Sequence, residues 1–256
     1  MTPELDTGAG ALGDLRPDST AVFLNFDGVL VDLSPVSDAP GISDVLVSLL
    51  AVLDSETSGA CTIVSGRTVE DLRRHLPLVP HAVIGSHGAE GYLPGAPAFR
   101  HAMIGSDAVR RLQDKAGRAE GLFGVKVVRK PTGVVLDHGA SRQHETALRQ
   151  FATALVAEFD GFATIETTSG IEVRPSGLGK DKAVQRAMAL PAFAARRPVY
   201  FGDDSTDEPA MAWAMKNGGR AIKVGPGKSV APHRLSGPSD VHETLAQWLE
   251  TRWRTA

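Results

Sequence analysis

The sequence predicts an α/β protein whose parallel-sheet core is interrupted by an α+β insert. Short apolar runs at residues 21–24, 60–64, 82–84 and 198–201 are each followed by a polar, glycine-bearing cluster. The stretches after the first two carry apolar residues at helical spacing, and strand, helix, strand, helix is the rhythm of a parallel sheet. Between about residues 99 and 178 that rhythm gives way to paired alternating strands with helices, the pattern of an α+β unit.

The first strand, Ala21-Val22-Phe23-Leu24, is apolar throughout, as a strand covered on both faces must be, and it stops at Asn25-Phe26-Asp27-Gly28. Apolar residues at 42, 45, 46, 49, 50 and 53 predict an amphipathic helix with Ser43 as its cap. Ala60 to Val64 is the next strand, ending at Ser65-Gly66-Arg67, and Thr68 opens a helix carrying Val69, Leu72 and Leu76. Ala82-Val83-Ile84 leads into Gly85-Ser86-His87-Gly88-Ala89-Glu90. Within the insert, a helix over 108–119 precedes strands 125–130 and 133–138, joined by Pro131-Thr132 as a hairpin. A helix over 143–158 and strands 162–166 and 170–174 complete it. The core resumes with a helix over 182–188 and strand 198–201, then the acidic cluster 202–208, an edge strand at 221–224 and a closing helix over 241–253.

At 256 residues the chain can bury a large core. Hydrophobic residues at 42% and charged residues at 22% exclude a disordered chain or a membrane protein. A net charge of -3 gives no electrostatic reason for nucleic acid as a partner. The single cysteine, Cys61, cannot form an internal disulfide and reads as a buried thiol in a reducing compartment. No run approaches the ~20 apolar residues that span a bilayer, so the reading is a cytoplasmic protein with no membrane partner. Residues 1–20 read as a flexible leader. The histidines lack metal spacing, and Trp213, Trp248 and Trp253 read as packing residues.

Ligands bind beyond the carboxyl ends of strands in open parallel sheets, so clusters remote in sequence converge there. Residues 25 and 27, two apart at a strand end, share a face, and Gly28 lets the chain turn away.

Phe23-Leu24-Asn25-Phe26-Asp27-Gly28-Val29-Leu30 resembles the first motif of the haloacid dehalogenase superfamily, an apolar strand ending in Asp-x-Asp-Gly-Thr-Leu. Ser65 in Val64-Ser65-Gly66-Arg67 resembles its second motif. Lys180 resembles its third, with Lys182 as a nearby rival, and 202–208 its fourth. Ile63-Val64-Ser65-Gly66-Arg67, Gly85-Ser86-His87-Gly88-Ala89-Glu90 and Gly202-Asp203-Asp204-Ser205-Thr206-Asp207-Glu208 look like the trehalose-phosphate phosphatase versions of these loops. The resemblance runs from about residue 21 to 250.

It implies a Rossmann-like core (21–98 and 179–256) with an inserted cap domain (99–178). It also implies Mg2+-dependent hydrolysis of a phosphorylated disaccharide by a monomer. In such a family residue 25 attacks phosphorus and Asp27 is general acid, then base. Ser65 and Lys180 hold the phosphoryl group, and residue 25, Asp27, Asp203, Asp204 and Asp207 form the metal site. Asp203 would be the direct ligand and Asp207 would act through water or from behind. Substrate contacts are implied for Gly66, Arg67, His87, Glu90, Lys130, His138 and Glu172; Glu90 reads equally as a solvated loop acid. Val128 stands where the family carries a sugar-binding Glu, which leaves related disaccharide or pseudo-disaccharide phosphates as alternatives.

The departure that matters is Asn25. A neutral amide is a far poorer nucleophile than a carboxylate and brings no charge to a cation. Turnover is expected to be nearly abolished. Binding need not suffer, because the change removes a repulsion with the phosphate of about 4 kcal/mol at 4 Å and an effective dielectric of 20, before solvation offsets it. Two origins fit: replacement of the nucleophile to trap a substrate complex, or a member that binds phosphosugars without catalysis.

Overall fold

The computed structural model describes residues 9–32, 42–139, 143–167 and 170–251. Chain contacts divide it into two compact units: one runs to Phe99 and resumes at Gly179, the other is Arg100–Leu178.

The first unit contains α1 (Ala9–Leu12), β1 (Thr20–Leu24), α2 (Asp44–Glu56), β2 (Cys61–Val64), α3 (Val69–His75), β3 (Ala82–Gly85), β4 (Glu90–Tyr92) and β5 (Phe99–Arg100, which reaches the boundary). After the insert come α7 (Lys180–Met188), β10 (Arg197–Gly202), α8 (Glu208–Lys216), β11 (Arg220–Val224), β12 (His233–Leu235) and α9 (Pro238–Thr251). The sheet order is β12-β11-β10-β1-β2-β3-β4-β5, with β12 through β3 parallel and β4 antiparallel to β3. The chain moves outward from β1 through β2 and β3, then returns after the insert to β10 on the other side of β1. This reversal opens a crevice at the carboxyl ends of β1 and β10.

Alternate residues of each buried strand feed opposite cores. Val22, Leu24, Ile63, Val83, Val199 and Phe201 pack beneath α2, α3 and α9 with Leu46, Leu50, Leu53, Leu72, Val241 and Leu245. Ala21, Phe23, Val64, Ile84 and Tyr200 face the other way, onto Ala183, Val184 and Ala187 of α7 and Ala210, Met211 and Ala214 of α8. The expected caps form: Ser43 accepts from Leu46 N at 3.2 Å and Thr68 from Asp71 N at 3.0 Å, each contributing about 1 kcal/mol.

Several elements differ from the sequence reading. The described part of the leader is packed: Ala11, Leu12 and Leu15 are buried in the core, and Trp248 of α9 donates its indole N–H to Leu15 O at 2.7 Å. Arg220 accounts for further carbonyls there, bonding Gly10 O and Ala11 O. β11 is interior, because β12 pairs with it and becomes the edge. α7 begins at Lys180, two residues before the predicted start. The helix expected over 108–119 breaks at Gly117 into α4 (Asp107–Ala116) and α5 (Arg118–Phe123).

The second unit adds β6 (Lys126–Lys130), β7 (Gly133–Asp137), α6 (Glu145–Ala157), β8 (Phe162–Glu166) and β9 (Gly170–Pro175). Its antiparallel sheet has the order β6-β7-β9-β8. Val134, Leu136, Ile171 and Val173 form one face and pack on Val109, Leu112, Leu148, Ala152 and Leu155 of the helices. The pairings Val128↔Val135↔Glu172 and Lys130↔Gly133 place Val128, Lys130, Glu172 and Arg174 on the opposite face. Gln113 secures the hairpin, donating to Lys130 O at 2.7 Å and Gly133 O at 2.8 Å. Among the described residues no helix is long and apolar enough to cross a membrane.

Candidate active site

β1, β2 and β10 are adjacent and in register, with Leu24 opposite Ile63 and Phe201, so the residues that follow emerge side by side. After Leu24 the chain turns at once: Gly28 N bonds Val31 O at 2.8 Å and Leu30 N bonds Phe26 O at 2.9 Å. Gly28 has φ +74°, and a Cβ there would fall 2.3 Å from Asp203 Oδ2. Only glycine lets the turn pass that close to the acidic loop.

Asn25 is buried, and its Nδ2 donates to Asp203 Oδ1 at 2.6 Å and to Asp27 O at 2.9 Å. The Asp27 carboxylate is gripped by Arg67, whose Nε lies 2.8 Å from Oδ2 and Nη2 2.8 Å from Oδ1. The second fork of Arg67 reaches Asp71 Oδ2 at 2.7 Å, and its guanidinium carbon lies 5.3 Å from the centre of the Phe26 ring. Hydrogen bonding to Asp27 is the main force holding the Arg67 pKa above its ordinary value. Ser65 is buried at the start of the turn into α3, and its Oγ accepts from Arg67 N at 3.1 Å.

Lys180, in the first turn of α7, is buried and donates to Asp207 Oδ1 at 2.8 Å. Asp207, fully buried, also accepts from Tyr200 Oη at 2.6 Å and from Asp203 N and Asp204 N at 3.2 and 3.3 Å. Burial pulls the Lys180 ammonium down, and Asp207 with Asp204 more than reverses this, so it stays charged. Burial, then the neighbouring Asp207 and Asp204, pushes Asp203 up to about 7. Asp204 is held below the usual carboxylate range: burial opposes this, but Lys180 and the Thr206 hydroxyl outweigh it. Lys223, buried at the end of β11, donates to Asp203 O at 2.5 Å.

Asp27, Arg67, Asn25, Asp203, Asp207 and Lys180 therefore form one continuous chain of hydrogen bonds, with Ser65 bound to the Arg67 end. Two residues expected to touch substrate are engaged within the protein. Arg67 spends its fork on Asp27 and Asp71. Glu90, half-buried, accepts through Oε1 from Ser86 Oγ at 2.9 Å and Val69 N at 3.1 Å and braces the start of α3. His87 lies against Gly66, where a Cβ would fall 2.6 Å from its Nε2.

Lys130, His138 and Glu172 belong to the second unit. Glu172 is buried 3.4 Å from Arg174 Nη1, and His138 Nδ1 lies 2.9 Å from Gly139 O. Sequence reading missed Asp71, Tyr200 and Lys223. A lysine inside the apolar run Ala221-Ile222-Lys223-Val224 and a tyrosine directly before the acidic loop were the available signals.

Asp203, Asp204 and Asp207 each offer a carboxylate oxygen within 4.8 Å of the others. Such an oxygen set suits a hard divalent cation. Asp207 is already saturated by four donors, which leaves Asp203, Asp204 and the Asp27 carbonyl as the fitting oxygens. Residue 25 does not fit, because it turns an N–H toward two of them.

A parallel sheet with an acidic loop and a hydroxyl at adjacent strand ends, and a buried lysine at the start of α7, is the arrangement of the haloacid dehalogenase class of phosphatases. The fold is that of a haloalkanoate-superfamily phosphatase from Bacteroides thetaiotaomicron (TM-score 0.60, 15% identity, 97% of this chain and 99% of that one). It is also that of the C-terminal domain of Candida albicans trehalose-6-phosphate phosphatase (TM-score 0.74, 22% identity, 91% and 93%). Residues 23–243 match the trehalose-phosphatase family model, and the chain belongs to that family. It is 28% identical over 239 residues to the trehalose-6-phosphate phosphatase of Escherichia coli K12, covering 90% of this chain and 85% of the relative.

Proposed function

We infer that this chain carries the machinery of a phosphomonoesterase for trehalose 6-phosphate and that Asn25 holds it nearly inactive, as a protein that binds the ester without releasing phosphate. The observation that carries this reading is the hydrogen-bonded chain linking residue 25 to Asp27, Asp203, Asp207 and Lys180. With aspartate at 25, its oxygen attacks phosphorus while the ester P–O bond breaks and Asp27 gives a proton to the leaving sugar oxygen. Asp27 then takes a proton from water, which attacks the phosphorus of the acyl phosphate and restores the aspartate. Lys180 and Ser65 hold the phosphoryl oxygens. Arg67 occupies both Asp27 oxygens, so one must be released for each proton transfer.

With that aspartate present, Mg2+ would be held by residue 25, Asp203 and the Asp27 carbonyl and would supply positive charge beside the phosphoryl group. For sugar hydroxyls, Lys130, Glu172 and His138 are the donors and acceptors that the second unit offers, and His87 is one that the first unit offers. Val128 leaves one hydroxyl without its partner at a cost of about 1–3 kcal/mol, which favours a related disaccharide phosphate as the alternative substrate. We place the protein in the cytoplasm as a monomer.

The test is phosphate release from trehalose 6-phosphate, and from a panel of disaccharide phosphates, by the wild-type chain and the Asn25→Asp variant. The expected result is a gain of at least about a thousandfold in kcat on Asn25→Asp; loss of a nucleophile in another hydrolase family cost about a million-fold. A folded variant with no turnover on any sugar phosphate sinks the phosphatase reading and leaves a binding protein.

A further inference from the structure

The donor and acceptor chemistry around Asn25 has a consequence beyond a missing nucleophile. Its Nδ2 lies 2.6 Å from Asp203 Oδ1 and 2.9 Å from the Asp27 carbonyl. The carbonyl can only accept, and the carboxylate in its charged form likewise, so the amide must present its NH2 and not its oxygen to them. One nitrogen with two N–H groups thus satisfies two oxygens from different strand ends, one of them on Asp203, 178 positions along the chain from Asn25 itself.

We propose that the Asn25 amide takes the place of a divalent cation, tying the Asp27 carbonyl to Asp203 so that the nucleophile loop and the acidic loop are assembled without metal. The cation in question rests on the phosphatase reading above; the cross-link itself does not. A cation seeking the same two oxygens must expel the NH2 and turn the amide over, and it gains a neutral ligand where a carboxylate would have given a charge. The remaining acidic residues are already met from within the protein. Asp207 is bonded by Lys180, Tyr200 and two backbone N–H groups, Asp204 by the Thr206 hydroxyl and amide, and the Asp203 carbonyl by Lys223. This loop therefore keeps its shape through hydrogen bonds alone.

Two measurements test this. In calorimetric titration with MgCl2 after chelator treatment, wild-type protein is expected to bind at least about tenfold more weakly than Asn25→Asp, the scale set by disturbing groups around a metal. Thermal unfolding should mirror it, with 1 mM EDTA against 5 mM MgCl2 leaving the wild-type Tm unchanged and shifting that of Asn25→Asp upward. Should the variant fail to fold, nuclear magnetic resonance of the wild-type chain decides alone. The Asn25 side-chain NH2 should give two resolved signals, slow to exchange with solvent and unmoved by millimolar MgCl2.

Equal Mg2+ affinity in the two proteins, or Asn25 NH2 signals that exchange freely or shift with Mg2+, overturns the proposal. Neither readout depends on turnover, so the phosphatase reading and this one can fail separately.

Discussion

Removing the ammonium of Lys180 while keeping its stem, as Lys180→Met does, isolates the electrostatic centre of the site. Lys180 is 3% exposed and Asp207 fully buried, and the two are 2.8 Å apart. Loss of one partner from such a pair leaves an uncompensated buried charge and costs about 3–5 kcal/mol. Tyr200 and two backbone N–H groups still reach Asp207, while Asp204, 3.9 Å from the ammonium, loses its neighbour too. A core of this size shifts its Tm by about 2–4 °C per kcal/mol, so a fall of roughly 6–20 °C is expected.

Adding Asp207→Asn removes the stranded charge and keeps an acceptor for the loop amides, so the double variant should cost about 1–3 kcal/mol less than the sum of the singles. Urea unfolding followed by tryptophan fluorescence reads both quantities, since Trp248 is buried in the core on one face of the sheet and Trp213 packs against the core on the other. The raised Lys180 pKa fixes the sign with pH. The ammonium's own contribution is present below the ordinary lysine range and is lost as pH rises through its raised value. A single substitution costing under about 1 kcal/mol, or strictly additive singles, would refute the reasoning.

Arg67→Ala strips three charge-assisted hydrogen bonds from Asp27 and one from Asp71 at a partly exposed position; a loss of about 1–3 kcal/mol in chemical denaturation is expected. In the Asn25→Asp background the same change should alter the pH profile of kcat, and an unchanged profile means Arg67 is only structural. Asp203, raised to about 7, stabilises the metal-free fold fully below its unfolded value near 3.8 and loses this as pH rises through 7. The stability of Asp203→Asn relative to wild type should therefore increase by about 2 kcal/mol between pH 4.5 and 8, a figure already discounted for solvent from about 3. A flat difference would contradict it. Gly28→Ala forces a Cβ onto Asp203 at a positive φ and should cost about 1–3 kcal/mol, with inorganic phosphate binding weakened in calorimetry; wild-type stability would remove the argument for close approach.

The signals legible in the sequence were local ones. An apolar run four residues long marks β1 whatever it pairs with, and Ser43 and Thr68 mark helix starts because a cap acts on its own next turn. The clusters at strand ends announced themselves through turn chemistry and acidic spacing. What stayed hidden depends on partners far along the chain. Arg67 could be recognised as part of a phosphate loop, but its grip on Asp27, 40 positions away, is a tertiary fact. Ala11, Leu12 and Leu15 lack a full helical period and read as leader until α9 supplies the surface that buries them. β12 spans three residues, His233-Arg234-Leu235, too few for alternation to be seen, and its absence from the reading made β11 an edge. The family resemblance supplied Asn25 with a role but not its bonds, since whether an amide points N–H or C=O at a neighbour is decided by that neighbour.

The pairing of β1 with β10 also imposes an order on synthesis. Every strand of the β6-β7-β9-β8 sheet leaves the ribosome before Arg197 does, so the interruption can close its own sheet while the first strand still lacks its neighbour on one side. Until the final helix emerges, Leu15 has no indole to hold it and the early hydrophobic segments stay uncovered, the condition in which nascent chains recruit chaperones or aggregate. Truncation within α9 should accordingly be felt at Leu12 and Leu15.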